Sequence, residues 1–141
     1  VYVKVELVKL KVESGQKIDP WPYEKPDISG YVDIYGVNGW EVFHIPTMPE
    51  TYEAYDFFSS SWVDVDDSKK KVPIEISIWD EDADLDIEEN PNETIDISPT
   101  DSEVAVLNYD ITAGETTFEL DGRKDDWDEI DGLLVVKVKT N

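Results

Sequence analysis

The chain has 141 residues, no cysteine, and 34 acidic against 12 basic side chains, which gives a formal net charge of −22. A chain of this length can bury about two-thirds of its unfolded surface without a disulfide, so we expect a single domain over residues 1–141. The charge argues against nucleic acid as a partner, because each phosphate contact needs a lysine or an arginine. It also opposes a purely electrostatic attachment to anionic lipid.

The beginning of the chain predicts a strand with a bulge. Apolar residues alternate from Val1 to Leu7 and then resume in the opposite phase at Val8. A phase switch of this kind indicates one extra residue in the strand. The segment 14–29 follows as a long loop with three prolines, and loops of that length inside a compact domain are often functional.

The rest of the chain alternates short apolar segments with turns. Strands are predicted at 30–37, 40–45, 60–65, 72–79, 94–98, 116–120 and 133–139. Asn38-Gly39 predicts a tight hairpin, and 46–58 is expected to be a second long connection. The pattern leaves the structure of 104–110 open. No stretch of useful length has a helical period, so the fold class we predict is an all-β antiparallel sandwich of seven or eight strands.

Counting chain reversals predicts where the connections lie. The loops at 14–29, 46–58 and 80–93 fall at one pole of the sandwich, and the turns at 38–39 and 66–71 fall at the other. Acidic loops that are distant in sequence are therefore expected to meet.

The most acidic of these loops follows the most regular strand. Asp80 and Asp82 continue the apolar face of 72–78 beyond the core, and residues two apart on a strand lie roughly 7 Å from each other. Calcium takes 6–8 oxygen ligands and would relieve the repulsion between such carboxylates. A calcium loop is the main prediction, and a solvated acidic loop is the alternative.

The sequence contains two other candidate cation sites. Counting an EF-hand from Asp82 places Ile87 where the loop needs glycine, and strands flank the segment instead of helices, so an EF-hand is rejected. The acidic segment Asp121–Asp131 could hold a further cation at the opposite pole, although an ordinary charged hairpin tip is favoured there.

Four motifs form a recognisable series: Lys25-Pro-Asp27-Ile-Ser-Gly-Tyr31-Val, Thr47-Met-Pro-Glu-Thr-Tyr-Glu, Trp79-Asp80-Glu-Asp82 and Gly132-Leu-Leu-Val-Val-Lys-Val. Together they resemble the C2 domains, a family of calcium-dependent membrane-targeting modules. The first stands where the family has an aspartate-bearing loop, and the third stands where it has a strand ending in Asp-x-Asp. The second is similar to the family's central connection, and the fourth is similar to its closing strand.

The resemblance implies a set of metal ligands as well as a fold. The implied calcium ligands are Asp19, Asp27, Asp80, Asp82 and Asp86, with Asp84 as the nearest competitor for Asp86.

Aromatic side chains lie beside the proposed metal site. Trp21, Tyr23 and Tyr52 are candidates for contact with a membrane interface or for stacking on sugar rings. Phe57 and Phe58 are instead expected to cap the end of the core.

Catalysis has little support in the sequence. There is no cysteine, His44 is the only histidine, and no nucleophile elbow or glycine-rich phosphate loop is present. We therefore expect a non-enzymatic, calcium-binding module of a larger protein, secreted or at the cell surface, whose partners are calcium, other domains of the same chain, and membrane lipid or polysaccharide. The alternative is a carbohydrate-binding or adhesive module with structural calcium.

Overall fold

The computed structural model describes residues 1–13, 26–81, 93–100, 102, 104–122 and 130–141. Its strands are β1 (Tyr2–Val12), β2 (Ile28–Gly36), β3 (Gly39–Met48), β4 (Glu53–Ser59), β5 (Val63–Asp64), β6 (Lys71–Asp80), β7 (Glu93–Asp96), β8 (Ala105–Asp110), β9 (Thr116–Asp121) and β10 (Ile130–Thr140). A single 3-10 turn, Ile111–Ala113, joins β8 to β9. Within these ranges no helix is long and apolar enough to cross a membrane.

The strands form two sheets that face each other across one core. The first sheet has the order β9-β10-β1-β4, with β5 paired to the beginning of β1, and the second has the order β3-β2-β6-β8. β7 pairs antiparallel with the end of β6 and parallel with the beginning of β10, so it joins the two sheets. The all-β sandwich predicted from the sequence is confirmed, and the described strands include one parallel pair, β7 with β10, among antiparallel ones.

The core is built from the alternating inward side chains of the two sheets. Every second residue of β6 from Val72 to Ile78 is buried, and the same period holds in β10 from Leu134 to Val138. In β1 the alternation changes phase, because the pairing register shifts between Leu7 and Lys9 against both neighbouring strands. The predicted bulge is confirmed at this position.

The segment 46–58 is not the long connection that the sequence predicted. β3 continues through Pro46 to Met48, and β4 begins at Glu53, so only four residues connect the two strands. Proline is tolerated in β3 because β2 is the only described strand that pairs with it. Phe57 and Phe58 pack against the core, as expected.

The structure also refines the expectations for 60–65, for 104–110 and for the β2–β3 hairpin. Of the strand predicted at 60–65, only Val63–Asp64 pairs, whereas the undecided apolar stretch is strand β8. The β2–β3 hairpin is present, but its two loop residues are Val37 and Asn38, since Gly36 pairs with Gly39. Gly39 has a φ of 96°, a conformation that glycine adopts without strain.

Gly30 gives a test of how closely β2 packs between its neighbours. A Cβ atom at this position would overlap the backbone carbonyl oxygen of Ser77 and approach the Ile45 Cδ1 atom to 3.2 Å. Overpacking of this kind costs about 1–3 kcal/mol. Gly30→Ala should therefore lower the free energy of unfolding in urea by that amount, whereas the exposed control Thr47→Ala should stay within about 0.5 kcal/mol. Equal effects of the two changes would contradict the packing described here.

A salt bridge across β1 and β10 makes the stability depend on pH. The Lys139 Nζ atom lies 2.7 Å from the Glu6 Oε1 atom, and this hydrogen bond lowers the pKa of Glu6. A carboxyl group with a lowered pKa in the folded state stabilises the protein above its unfolded pKa, and that contribution is lost as the pH falls through the folded pKa.

Glu6→Gln should therefore be less stable than the wild type at pH 7. The difference should shrink as the pH falls below 4.5, the ordinary value for Glu6, and through the lowered pKa. Urea unfolding from pH 7 down to about pH 2.5 measures it. Glu119→Gln, an exposed change on β9, should show no comparable dependence, and a constant difference for Glu6→Gln would contradict the assignment.

Candidate metal centre

Asp80 occupies the last inward position of β6. The inward positions before it are valine and isoleucine, and the alternation carries Asp80 to the same side, where its exposed fraction is 1%. A buried carboxylate costs free energy unless hydrogen bonds or a counter-charge compensate for it. The sequence thus places an acid where the strand would otherwise present another apolar side chain.

The backbone of the neighbouring strand binds this carboxylate. The Asp27 N–H group donates to the Asp80 Oδ1 atom at 2.9 Å, and the Glu81 N–H group donates to the Asp27 carbonyl oxygen at 2.7 Å. The second contact continues the β2–β6 ladder, in which Ile28 pairs with Asp80, and the first adds the Asp80 side chain to it. Asp27 and Asp80 therefore lie side by side, although 53 residues separate them along the chain.

The Asp27 side chain holds a third segment at this pole. Its Oδ1 atom accepts a hydrogen bond of 2.9 Å from the Glu50 N–H group, and the Thr51 N–H group donates to the Pro26 carbonyl oxygen at 2.8 Å. Glu50 has a φ of 48°, so this short β3–β4 turn is bent around the Asp27 carboxylate. Three connections thus converge on the two acids.

Both ends of the Asp121–Asp131 segment lie at this pole and not at the opposite one, so that part of the sequence analysis was wrong. The Glu13 N–H group donates to the Asp131 carbonyl oxygen at 3.0 Å, and Gly132 pairs with Val12. Asp131 therefore lies where the loop after β1 begins. The error arose because β7 and β8 both run antiparallel to β6 and therefore in the same direction, so the chain does not reverse between them as the opposite-pole placement requires.

Asp96 is a buried acid that sequence analysis missed. It is 1% exposed on β7, its Oδ1 atom accepts from the Ser98 N–H group at 2.9 Å, and it pairs in register with Asp131. A Cβ atom on Gly122 would overlap the Asp96 carbonyl oxygen, so β9 ends in close contact with β7. The Asp-x-Ser spacing was the available signal, since Asp side chains often accept from the amide two residues on.

The other predicted ligands cannot be placed. Asp19, Asp82, Asp84 and Asp86 lie outside the described residues, as do Trp21 and Tyr23. Among the residues that are described, no three acidic or histidine side chains form a group that could hold a metal ion. Tyr52 is described and is partly buried against the core, with its carbonyl oxygen accepting from the Val12 N–H group at 2.8 Å.

The donor chemistry at the pole suits a hard cation. A carboxylate has two oxygens and about four lone-pair directions, so a backbone hydrogen bond to one oxygen is compatible with metal binding by the same side chain. Calcium takes 6–8 oxygen ligands, among them the carboxylates of aspartate. Asp27 and Asp80 therefore fit as two members of a calcium site whose remaining ligands would come from the loops on either side.

The hydrogen bond between β2 and the Asp80 carboxylate should matter even without a metal. Asp80→Ala removes the acceptor of the part-buried Asp27 N–H group, and an unsatisfied donor costs about 1–3 kcal/mol. The change should lower the free energy of unfolding by that amount in chelator, as measured by urea titration. Asp80→Asn keeps an acceptor and should lose less, and the exposed control Asp67→Ala should lose about 0.5 kcal/mol at most. An unchanged Asp80→Ala protein would contradict the role of this contact.

Comparisons with known proteins bear on the fold. No family model matches the chain, and no curated protein matches it. Among solved structures, the first C2 domain of plant extended synaptotagmin 1 matches with a TM-score of 0.58 and 13% identity over 97% of this chain and 91% of that one. The paired, calcium-bound C2 domains of extended synaptotagmin 2 match with a TM-score of 0.59 and 11% identity over 98% of this chain and 44% of that one.

A larger protein also contains the same architecture. Human GIVD cytosolic phospholipase A2 matches with a TM-score of 0.55 and 13% identity, and the match covers 98% of this chain but only 16% of the phospholipase. Identities this low establish the arrangement of strands alone. The chain has the β-sandwich fold of C2 domains.

Proposed function

We propose that the chain is a non-enzymatic, calcium-binding C2-like module of a larger protein, in which calcium orders and stabilises the loops of one pole. The observation that carries the proposal is the contact between Asp27 and Asp80. It brings acids from two distant loops together at the end of the core. The calcium-bound form of one structure with the same fold supports the choice of cation.

The charge of the chain gives calcium a physical role. A net charge of −22 destabilises a compact chain through self-repulsion, and the repulsion is greatest where acids converge. A divalent cation bound between Asp27 and Asp80 lowers that repulsion. Because it binds the folded state only, it stabilises by about 2.7 kcal/mol at a free concentration of about 100 times its Kd.

The cellular location of the module is a separate proposal. We propose secretion or exposure at the cell surface, where free calcium is plentiful and the absence of cysteine is no obstacle. One structure of the same fold is named a cytosolic enzyme, so the comparisons lend this placement no support.

Calorimetric titration of calcium into chelator-treated protein tests the binding proposal. The wild type should bind calcium and melt several degrees higher when saturated, since about 1 kcal/mol shifts the Tm of a domain of this size by roughly 2–8 °C. The double variant Asp80→Asn with Asp82→Asn should lose most of the binding heat and most of the shift.

A charge-matched control separates a site from general attraction of cations. Asp67→Asn with Glu115→Gln also removes two negative charges, from exposed positions at the other end of the sandwich, and should bind calcium as the wild type does. Equal losses in the two double variants, or a Tm that calcium leaves unchanged, would contradict the proposal.

Sedimentation with phosphatidylcholine and phosphatidylserine vesicles, with and without calcium, shows whether the ordered pole also contacts lipid. A parallel pull-down on insoluble polysaccharide tests the carbohydrate alternative. Retention on sugar without calcium-dependent sedimentation would favour that alternative.

A further inference from the structure

The outer face of the second sheet carries exposed aromatic rings around a pair of acids. We define this face by the outward side chains that the argument uses, which are Tyr31, Asp33, Tyr35, Trp40, Glu75 and Trp79. They come from β2, β3 and β6, on the side of the sheet that points away from the core. The exposed fractions of Tyr31, Tyr35 and Trp40 are 39%, 42% and 44%. Val42, between them on β3, is 59% exposed. Exposed aromatic and apolar side chains clustered over neighbouring strands are a common mark of an interaction site.

The rings form two groups with the acids between them. The centre of the Tyr31 ring lies 5.2 Å from the centres of the Trp79 and His44 rings. The centres of the Tyr35 and Trp40 rings are also 5.2 Å apart. Tyr31 and Tyr35 are four residues apart on β2, a distance of about 13 Å along the strand. Asp33 lies halfway between them, and it pairs in register with Glu75. A ligand bound over Asp33 would therefore meet aromatic rings on both sides.

The acids on this face have few cations near them. Residues 28–36, 39–48 and 72–80 contain no lysine or arginine. Lys71 is the first residue of β6, at the end of the strand opposite Trp79. Its Nζ atom lies 3.9 Å from the Asp110 carboxylate. Within the described part of the chain, the buried Asp33 Oδ1 atom has no hydrogen-bond partner. Burial and, to a smaller extent, the neighbouring Glu75 raise the pKa of Asp33.

The first sheet shows how the same chain treats aromatic rings elsewhere. On its outer face, the Lys4 Nζ atom lies 5.5 Å from the centre of the Trp62 ring, and the Lys9 Nζ atom lies 5.8 Å from the centre of the Tyr55 ring. A cation over an aromatic face is attracted by the ring quadrupole. The outer face of the second sheet also has aromatic rings, together with two acids. Its strands place no lysine or arginine between the two groups of rings, so a partner could supply the cation.

We propose that this outer face is a docking surface for an arginine-bearing segment of a protein partner. The guanidinium group is planar, stacks on aromatic faces and donates to carboxylates, so one side chain can contact Tyr31 or Tyr35 and the Asp33–Glu75 pair together. The surface lies on the outer side of β6, whereas Asp80 of the proposed calcium site faces inward, so the surface can be tested without calcium.

The geometry favours this partner over two others. The ring planes of the two aromatic groups are inclined by 49° for Tyr31 with Trp79 and by 65° for Tyr35 with Trp40, so the groups do not form the flat platform on which a sugar chain would stack. Lipid phosphates would be repelled by Asp33 and Glu75. A cationic side chain can use both the inclined rings and the acids.

Titration with the peptide acetyl-Arg-Gly-Arg-Gly-Arg-amide in about 0.15 M salt tests the proposal, since this salt screens the charges of exposed groups beyond roughly 8 Å. Backbone amide shifts in a labelled sample should change over 31–35, 40–44 and 75–79 more than elsewhere. Asp33→Asn and Tyr31→Ala should each weaken binding about tenfold, in line with a partly desolvated cation–aromatic contact. Circular dichroism and melting confirm that each variant is folded.

Two matched controls distinguish the surface from the overall charge. Asp67→Asn removes an exposed acid elsewhere, and Tyr55→Ala removes an exposed ring on the other sheet, so both should change the Kd less than twofold. Equal weakening by Asp33→Asn and Asp67→Asn would overturn the proposal, as would shifts spread evenly over the chain. If Tyr31→Ala does not fold, the map of amide shifts on the wild type decides. Shifts in the same three segments with cellohexaose and none with the peptide would also overturn it, in favour of a carbohydrate site.

Discussion

The pole of this sandwich depends on an acid at the end of its central strand. Asp80 takes an inward position that valine or isoleucine takes everywhere earlier in β6, and the Asp27 amide of the adjacent strand donates to it. A carboxylate in that position is stable only when its charge is compensated, because transfer of a charged group from water is costly. The backbone provides part of the compensation. This requirement brings the loop before β2, the β3–β4 turn and the end of β6 together. A cation bound there would supply further charge compensation and so would stabilise the pole.

Much of the fold could be predicted because alternation over a strand is a strong signal. The β1 bulge, the β2–β3 hairpin and the proximity of Asp27 to Asp80 all follow from which residues share a face and from the number of reversals between them. β4 was missed because Pro46 and a dense set of aromatic residues suggested a loop. Proline is acceptable there because β2 alone among the described strands pairs with β3, a fact about the sheet that the sequence does not carry.

The candidate site was less predictable than the fold. Asp96 is buried because β7 is inserted between β6 and β10, and nothing local to Thr94–Ser98 specifies a parallel pairing with Asp131. The pole of the Asp121–Asp131 segment depended on whether the chain reverses between β7 and β8, and a short apolar-rich stretch without a clear period does not settle that. Both strands pair antiparallel with β6, so they run in the same direction and the later turn stays at the pole of Asp80. Asp19, Asp82, Asp84 and Asp86 lie outside the described residues and remain predicted ligands.

The alternation that buries Asp80 also turns Trp79 outward, so one strand end contributes to both surfaces. The Trp79 Nε1 atom donates to the Glu81 side chain at 3.2 Å, and the Glu81 backbone N–H group donates to the Asp27 carbonyl oxygen. Trp79 in turn lies against Tyr31 on the outer face. A cation that fixes Asp27 and Asp80 would therefore restrict Glu81, and through it the Trp79 ring of the proposed docking surface. Order at the pole and order on the face are thus joined through two consecutive residues of β6, and the rings around Tyr35 and Trp40, farther along the hairpin, lie away from that connection.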